Sequence, residues 1–268
     1  LAGPALPIFE RKIGNVVSDT VESAVAKSDW VLTGTSWPSD LEIEAIKLAN
    51  LQGKRSVSFL DHWVNYQQRF MRDGKAYFPD EIWVGDDSAL KIAKEKLPGF
   101  NVKLKSNPYF EDLKLQIDEL KASKNDKNIK PYVLYVCSPI KEHAKLKFGD
   151  ERYWGFTEDD AVRYFMDNFH LLRSSAQLVF LRPHPSEKLD KYNWALQEYD
   201  PVIQIGGTKT LLEEIINAEM VVGFNSMAMV VALIAGKRVI NALPPGKVVN
   251  TLPMEEIEQF EDLLENLN

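Results

Sequence analysis

The tetrapeptide Arg182-Pro183-His184-Pro185 combines residue types that are suited to phosphate or acid–base chemistry. Each proline fixes its own φ angle and restricts the residue before it, so His184 is kept out of helix and sheet. A rigid imidazole beside the Arg182 guanidinium can hold or protonate a phosphate oxygen. The alternative is a turn in which the histidine bonds only to neighbouring backbone. The motif alone leaves both interpretations open.

A second polar corner lies at Asn225-Ser226, between a buried strand and a helix that is apolar on every face. The start of a helix presents unpaired amide N–H groups and the positive end of the helix dipole, and the Ser226 hydroxyl adds another donor. Such a corner is suited to a phosphate. The alternative is that Ser226 only caps its own helix, which is a common function of serine at this position.

The segment 206–213 reads Gly-Gly-Thr-Lys-Thr-Leu-Leu-Glu and lies between these two corners. Paired glycines permit a ligand to approach the backbone, and the following helix start offers amides and hydroxyls. The spacing of a P-loop is absent. The alternative is a flexible turn with Thr208 or Thr210 as the helix cap. The segment supplies Gly207, Thr208, Thr210 and Glu213 as candidate ligand-binding residues.

Strands and helices alternate along the chain, and a polar stretch at 124–130 divides this alternation into two runs. Alternation of this kind predicts parallel sheets that are covered on both faces. We therefore predict an α/β protein with two Rossmann-like domains, residues 1–123 and 131–268, joined by the linker 124–130. The last helix, at about 254–267, is free in this prediction to pack back on the first domain.

Ligands of such folds bind beyond the carboxyl ends of the strands, here predicted to be a cleft between the two halves. Polar residues follow the predicted strands in both halves, which is the main indication of a real site. In the second half they are Ser138, Pro139, Arg182, His184, Asn225 and Ser226, and in the first half Thr35, Ser36, Trp37, Asp61, His62, Trp63 and Tyr66. Asp61, beside aromatic residues, is the candidate general base. The alternative is that it caps the following helical turn.

Composition excludes several functional classes. The net charge of −7 argues against a general nucleic-acid surface. A single cysteine and four histidines without ligand spacing give no metal site, so no metal is expected. No stretch approaches the roughly 20 apolar residues that span a membrane, so we expect a cytoplasmic protein. Peripheral membrane contact and oligomeric state stay open. Residues 1–5 suggest the end of a strand and a turn, which indicates a trimmed N-terminus.

Three motifs in order resemble the donor-binding half of the GT-B glycosyltransferases. They are Arg-Pro-His-Pro at the end of a strand, Gly-Thr-Lys-Thr-Leu-Leu-Glu in a turn, and Val-Val-Gly-Phe-Asn-Ser before an apolar helix and Gly-Lys-Arg-Val-Ile. The chain is most similar to bacterial surface-polysaccharide enzymes. These are the sialyltransferases and polysialyltransferases, which have a His-Pro motif and a serine motif, and the CDP-glycerol glycerophosphotransferases. The match covers roughly residues 131–245 of the 268.

This resemblance implies that His184 and Ser226 contact the phosphate of a cytidine nucleotide donor. Sialyltransferases of this kind carry a catalytic acid in an Asp/Glu-Asp/Glu-Gly motif in the first half. Here Gly85 precedes Asp86-Asp87 and no glycine follows, so the role is not transferred and Asp61 stays the candidate.

We therefore predict a glycosyltransferase, or a glycerophosphotransferase-like enzyme, that uses a CMP- or CDP-linked donor and a glycan acceptor in surface-polysaccharide synthesis, without a cofactor. One alternative is a nucleotide-sugar 2-epimerase or hydrolase of the same fold, which needs no acceptor. Another is a non-catalytic two-lobed protein that binds a small anion without turnover. A degenerate transferase domain of a larger polypeptide is a third.

Overall fold

The computed structural model describes residues 6–36, 39–123, 130–188 and 190–266. The chain divides into two compact units, Leu1–Asn107 and Pro108–Asn268. The predicted turn at residues 1–5, the site candidate Trp37 and linker residues 124–129 lie outside the described residues. Within the described ranges, every helix is too short or too polar to cross a membrane.

The first unit is an α/β unit built on one parallel sheet. Its strands are β1 (Trp30–Thr33), β2 (Arg55–Leu60), β3 (Met71–Arg72), β4 (Lys75–Ala76), β5 (Glu81–Val84) and β6 (Val102–Leu104). Its helices are α1 (Leu6–Ile13), α2 (Val21–Lys27), α3 (Leu41–Leu51) and α4 (Asp87–Lys96), with a 3-10 turn at Gln68–Phe70. The parallel sheet has the order β1-β2-β5-β6, and β3 and β4 form a separate antiparallel pair. The sheet therefore presents the carboxyl ends of all four strands at one edge.

The second unit contains a larger parallel sheet. Its strands are β7 (Tyr132–Val136), β8 (Leu178–Arg182), β9 (Ile203–Ile205), β10 (Met220–Gly223), β11 (Arg238–Asn241) and β12 (Glu258–Gln259). Its helices are α5 (Pro108–Ser123), α6 (Ile140–Phe148), α7 (Glu158–Asn168), α8 (Asn193–Glu198), α9 (Leu211–Asn217), α10 (Met227–Ile234) and α11 (Phe260–Glu265), with a 3-10 turn at Phe169–Leu171. The strand order is β12-β11-β10-β7-β8-β9. The chain thus builds outward from β7 through β8 and β9, then crosses to the other side of β7 for β10.

The centre of this sheet is buried on both faces because its strands are apolar throughout. Every residue of β7 and β10 is buried, as expected for parallel strands that are covered on both sides. The two strands approach closely at Gly223, where a Cβ atom would lie 2.6 Å from Val136 Cγ2 and 2.8 Å from the Val136 carbonyl oxygen. Glycine at the end of β10 therefore allows the pairing that brings the two following loops together.

Two elements near the domain boundaries differ from the sequence prediction. Helix α5, assigned from sequence to the first domain, lies in the second unit, where Leu113 and Ile117 are buried and it packs against α9 and α10. The C-terminal helix begins only at Phe260, because residues 258–259 extend along β11 as a strand. The ring of Phe260 is fully buried in the core of the second unit.

Candidate functional site

The three loops that follow β7, β8 and β10 leave the sheet at the same level. In the strand register Val136 lies opposite Gly223 on one side and Arg182 on the other. A candidate phosphate-binding residue lies two positions after the last residue of each strand: Ser138 after β7, His184 after β8 and Asn225 after β10. The order of the strands reverses between β7 and β10, and open α/β sheets bind ligands at this switch point. The Ser138 hydroxyl donates to the Phe224 carbonyl across it, at 3.1 Å.

His184 lies in a turn in which Glu187 bonds both its carbonyl oxygen and its amide N–H. The amide N–H of Glu187 donates to the His184 carbonyl at 2.8 Å, and the His184 amide N–H donates to Glu187 Oε2 at 2.7 Å. The Ser186 amide N–H donates to His184 Nδ1 at 3.2 Å, and the Ser186 hydroxyl lies 2.7 Å from the same nitrogen. Because Nδ1 accepts, the neutral ring carries its proton on Nε2. The ring is exposed, so this Nε2–H is available to an incoming anion.

Asn225 and Ser226 have different functions at the third loop. Asn225 adopts a left-handed φ of 47°. Its Nδ2 donates to the Val249 carbonyl at 3.0 Å, and its Oδ1 accepts the Thr251 amide N–H at 2.8 Å. Asn225 therefore holds the segment 249–251. Ser226 Oγ accepts the Ala228 amide N–H at 3.3 Å and so caps α10, as the alternative interpretation expects. This bond uses a lone pair and leaves the hydroxyl proton for a ligand.

The loop that follows β9 is held by Glu214, whose importance the sequence did not reveal. Its Oε2 lies 2.6 Å from Arg182 Nη1, and its Oε1 accepts the Gly207 amide N–H at 2.6 Å. The Glu214 side chain is only 3% exposed. Arg182 also donates to the Lys209 carbonyl at 3.0 Å. The guanidinium and the glycine amide predicted to bind phosphate are thus both bonded to a buried carboxylate.

Two further candidate ligand-binding residues of this loop, Thr210 and Glu213, cap the N-terminus of α9. Thr210 Oγ1 accepts the Glu213 amide N–H at 3.3 Å, and Glu213 Oε2 accepts the Thr210 amide N–H at 2.8 Å. This reciprocal arrangement is a capping box, so the helix-cap interpretation of Thr210 is the one the structure forms. Thr208 is exposed in the preceding turn. Pro139 precedes α6 and stands at its N-cap.

A charged cluster, which the sequence analysis did not predict, holds Glu187 in the His184 loop. We call Lys191 with Glu142, Glu158 and Glu187 the Lys191 cluster. The ammonium lies 2.8 Å from Glu142 Oε1 and 2.7 Å from Glu187 Oε1, and it contacts Glu158 as well. Burial alone would lower the pKa of Lys191, but its hydrogen bonds to the carboxylates raise it above its usual value. The ammonium thus occupies the place that a metal ion would take among three carboxylates.

In the first unit, Thr35 and Asp61 come together at the carboxyl ends of β1 and β2. Arg69, which was not among the predicted site residues, contacts both of them. Its Nη1 donates to the Thr35 carbonyl at 2.6 Å and lies 3.4 Å from Asp61 Oδ1, and its Nε donates to the Val64 carbonyl at 3.1 Å. The Asp61 side chain is 70% exposed, whereas that of Arg69 is 11% exposed. Asp61 is therefore accessible to solvent and fixed from one side by a cation.

The aromatic candidates of this unit lie at different depths. Trp63 is buried, and its Nε1 donates to both carboxylate oxygens of Asp86, at 3.1 and 3.0 Å. Tyr66 is 2% exposed, and its hydroxyl has no hydrogen-bond partner among the described residues. Burial raises the pKa of that hydroxyl well above its usual value. Tyr66 is thus a core residue of this unit. Ser36, in contrast, is partly buried, and its carbonyl oxygen accepts a hydrogen bond from Arg72 at 3.4 Å.

His62 gives a direct test of the electrostatics beside Asp61. Burial, and then the nearby Arg69 charge, lower the pKa of His62 below its usual value of 6.5, while Asp61 acts in the opposite direction. We expect Arg69→Met to raise this pKa and Asp61→Asn to lower it. Because folding lowers this pKa, the unfolded chain binds the His62 proton more tightly than the folded chain does. The free energy of unfolding is consequently expected to fall as the pH drops below about 6.5 and His62 becomes protonated. A proton NMR titration of the four histidines measures the shifts, with exposed His143 and His170 as internal controls. An unchanged His62 pKa in both variants would contradict this arrangement.

No protein-family model matches the chain, and no curated protein matches it significantly in sequence. Solved structures do share its fold. The chain is similar to UDP-GlcNAc 2-epimerase from Methanocaldococcus jannaschii, with a TM-score of 0.56 and 11% identity over 92% of this chain and 72% of that one. It is also similar to Anabaena Alr3699/HepE in complex with UDP, with a TM-score of 0.54 and 10% identity over 89% of this chain and 70% of that one.

Thermosulfurimonas dismutans KpsC, a beta Kdo 2,7 transferase, aligns with a TM-score of 0.37 and 13% identity over 87% of this chain and 83% of that one. At these identities the likeness to the epimerase and to HepE is one of fold. Together with the two parallel sheets it confirms the predicted class: the chain is an α/β protein with two Rossmann-like units of the GT-B kind.

Proposed function

We propose that this chain is an enzyme of nucleotide-activated sugars, and specifically a glycosyltransferase of the surface-polysaccharide kind. Its donor carries a nucleotide, a cytidine mono- or diphosphate as the sequence resemblance implies, and its acceptor is a glycan hydroxyl. The donor phosphate binds in the second unit at the switch point between β7 and β10. In this proposal the reaction needs no metal ion, because hydrogen bonds from protein groups stabilise the leaving phosphate.

One observation carries the proposal. Three loops leave the sheet at one level, at its switch point and on the neighbouring strand β8, and two of them present hydrogen-bond donors that have no acceptor among the described residues. These are Nε2–H of His184 and the hydroxyl of Ser226. The amides at the start of α10 add the positive end of a helix dipole. Donors that are fixed before the ligand arrives suit an anion whose charge increases during the reaction.

The proposed chemistry is a displacement at the anomeric carbon of the donor. The acceptor oxygen forms a bond to that carbon while the bond from the carbon to the phosphate oxygen breaks, and the electron pair stays on the departing phosphate. His184 and Ser226 donate hydrogen bonds to this phosphate. The residue predicted to take the acceptor proton is Asp61, which is exposed and can accept it. Arg182 acts through Glu214, which holds the loop after β9.

A nucleotide screen by thermal shift tests the proposal. CMP, CDP, UMP, UDP and GDP are added to the purified protein, and a nucleotide at 100 times its Kd is expected to stabilise the fold by about 2.7 kcal/mol. For a unit of this size the melting temperature then rises by roughly 5–10 °C. The nucleotides that shift it name the donor class. If none of them shifts the melting temperature, a donor linked to a cytidine, uridine or guanosine nucleotide is excluded.

Ser226→Ala in the same screen separates binding from capping. The variant loses the hydroxyl donor, so we expect its nucleotide Kd to rise by roughly tenfold, together with a loss of about 1 kcal/mol of stability because α10 loses its cap. Ser226→Thr keeps the hydroxyl and is expected to bind normally. Thr20→Ala removes a comparable cap, that of α2, and serves as the control that loses stability without losing affinity. Calorimetry gives both quantities.

A second candidate function is a nucleotide-sugar 2-epimerase, which the fold likeness to UDP-GlcNAc 2-epimerase favours. That reaction uses the same phosphate site and no acceptor. Incubation with the nucleotide sugar alone separates the two. An epimerase gives an isomeric nucleotide sugar without an acceptor, whereas a transferase releases free nucleotide at a useful rate only when an acceptor is present.

A further inference from the structure

We propose that Glu187, which Lys191 holds within the Lys191 cluster, is the positioning residue that orients the His184 imidazole and fixes its proton on Nε2. This inference rests on the proposed function for its catalytic consequence. Its structural part, the orientation and tautomer of His184, is measurable without any substrate.

Glu187 closes the turn that carries His184 with both its backbone and its side chain. The main chain supplies the hydrogen bond from the Glu187 amide to the His184 carbonyl, at 2.8 Å. The carboxylate supplies the return bond from the His184 amide to Oε2, at 2.7 Å. Pro183 and Pro185 have no N–H, so the His184 amide is the donor by which this stretch can be held. Both bonds keep Ser186 against the Nδ1 edge of the ring.

The other oxygen of the same carboxylate is held from the interior. Glu187 Oε1 accepts from Lys191 Nζ at 2.7 Å and from the Tyr192 hydroxyl at 3.0 Å. The Glu187 side chain is 1% exposed, and Tyr192 is fully buried. A carboxylate that is bonded on both oxygens by fixed partners cannot rotate without breaking several charge-assisted hydrogen bonds. The exposed imidazole is thus attached to a rigid group in the protein interior.

The Lys191 cluster also connects this loop to the loop after β7. Glu158 contacts the Lys191 ammonium, and its Oε2 accepts the amide N–H of Lys141 at 2.9 Å. Lys141 lies in the first turn of α6, which follows Ser138 and Pro139. One ammonium therefore fixes the loops after β7 and β8 relative to each other. The distance between the Ser138 corner and His184 depends on this cluster.

Loss of the Glu187 carboxylate removes the constraint on the turn while it leaves His184 itself unchanged. The ring would then sample other rotamers, and Ser186 would no longer hold Nδ1 as an acceptor. Part of the neutral population would carry the proton on Nδ1, and its Nε2 would accept rather than donate. Such a ring repels a phosphate oxygen instead of bonding to it. The catalytic consequence is a lower kcat with a smaller effect on KM, because the bond matters most when charge develops on the leaving group.

The test compares Glu187→Gln and Glu187→Ala with the wild-type protein. With ¹⁵N-histidine labelling, NMR reports the proton position on each ring, and His184→Asn assigns the signal among the four histidines. We expect a single Nε2–H form in the wild type, an intermediate mixture in the glutamine variant and a larger Nδ1–H fraction in the alanine variant. Turnover is expected to fall roughly 10- to 100-fold with less than about a threefold change in KM. Glu198→Gln removes an exposed carboxylate that pairs with Arg163 and is the matched control.

The inference is overturned if His184 keeps the wild-type ring signals in both variants. The glutamine variant preserves the shape of the side chain, so it supplies this result even if the alanine variant does not fold. Failure of the proposed function looks different. In that case the wild-type protein binds no nucleotide, while the change of His184 tautomer in the variants is still observed.

Discussion

We expect His184→Ala to lower kcat by about 100- to 1,000-fold with the nucleotide sugar that the thermal-shift screen identifies. The reason is the geometry of its donor. Nε2–H is the one polar group of the His184 ring that the turn leaves without a partner, and His184 follows β8, which pairs with β7 beside the switch point where the leaving phosphate is proposed to lie. The ring is exposed, so its removal is expected to change the free energy of unfolding by less than about 0.5 kcal/mol.

Two further substitutions at this position separate hydrogen bonding from proton transfer. The side-chain nitrogen of glutamine reaches the place of Nε2, whereas that of asparagine reaches the place of Nδ1. If His184 acts by donating a hydrogen bond, His184→Gln is expected to recover part of the turnover and His184→Asn none. If it acts as an acid, both variants are expected to be as slow as the alanine variant.

The matched control is His170→Ala. His170 is also exposed, and it lies in the 3-10 turn that follows α7. It should keep the full rate. Steady-state rates over a range of donor concentrations are measured for the four variants and the wild type. A His184→Ala protein with wild-type kcat and KM would exclude the imidazole from the reaction.

The positions of the loops could be predicted from the sequence because the strands before them are unambiguous. The segments that became β7, β8 and β10 are short apolar runs rich in β-branched and aromatic residues, and such runs indicate buried parallel strands. The carboxyl ends of these strands then follow directly. This argument predicts that Ser138, His184 and Ser226 follow the ends of these strands, and the structure has them there.

The bonds that each polar side chain makes could not be predicted in the same way. Arg182 and Glu214 are separated by 32 positions in sequence, and only the fold brings their charges together. The same is true of Arg69 and Thr35, which are 34 positions apart. A cation at a strand end has the same sequence signal whether it is free for a ligand or already paired.

Glu187 is an intermediate case, because its bond to His184 is local. A carboxylate three positions after a residue in a turn can return to that residue's amide, as it does in a capping box. The spacing from His184 to Glu187 therefore held a usable signal. Long-range pairing also changed one secondary-structure prediction. Arg238 bonds both carboxylate oxygens of Glu258, at 2.7 and 2.8 Å, where the sequence predicted a helix and the chain instead pairs with β11.

The largest loss of stability is expected for Glu214→Ala. This substitution leaves the Arg182 guanidinium, which is 19% exposed, without its partner, and it also removes the acceptor of the Gly207 amide. Removing one partner of a buried ion pair destabilises a protein by about 3–5 kcal/mol, because the remaining charge has lost both its partner and its water. Urea unfolding followed by circular dichroism should show a lower midpoint. Arg182→Met combined with Glu214→Leu should recover much of the loss, since apolar residues can fill the space of a buried pair.

The same variants decide whether Arg182 binds phosphate directly, as the sequence suggested, or acts by holding the loop after β9. Its guanidinium is already bonded to Glu214 Oε2 and to the Lys209 carbonyl, so we expect the double variant to keep its nucleotide Kd within about threefold of the wild type. Glu151→Gln breaks an ion pair of the same 2.6 Å length between exposed side chains and should change neither the urea midpoint nor the affinity appreciably. A double variant that is stable but loses nucleotide binding would assign Arg182 to the phosphate, because stability and affinity would then depend on different contacts of one side chain.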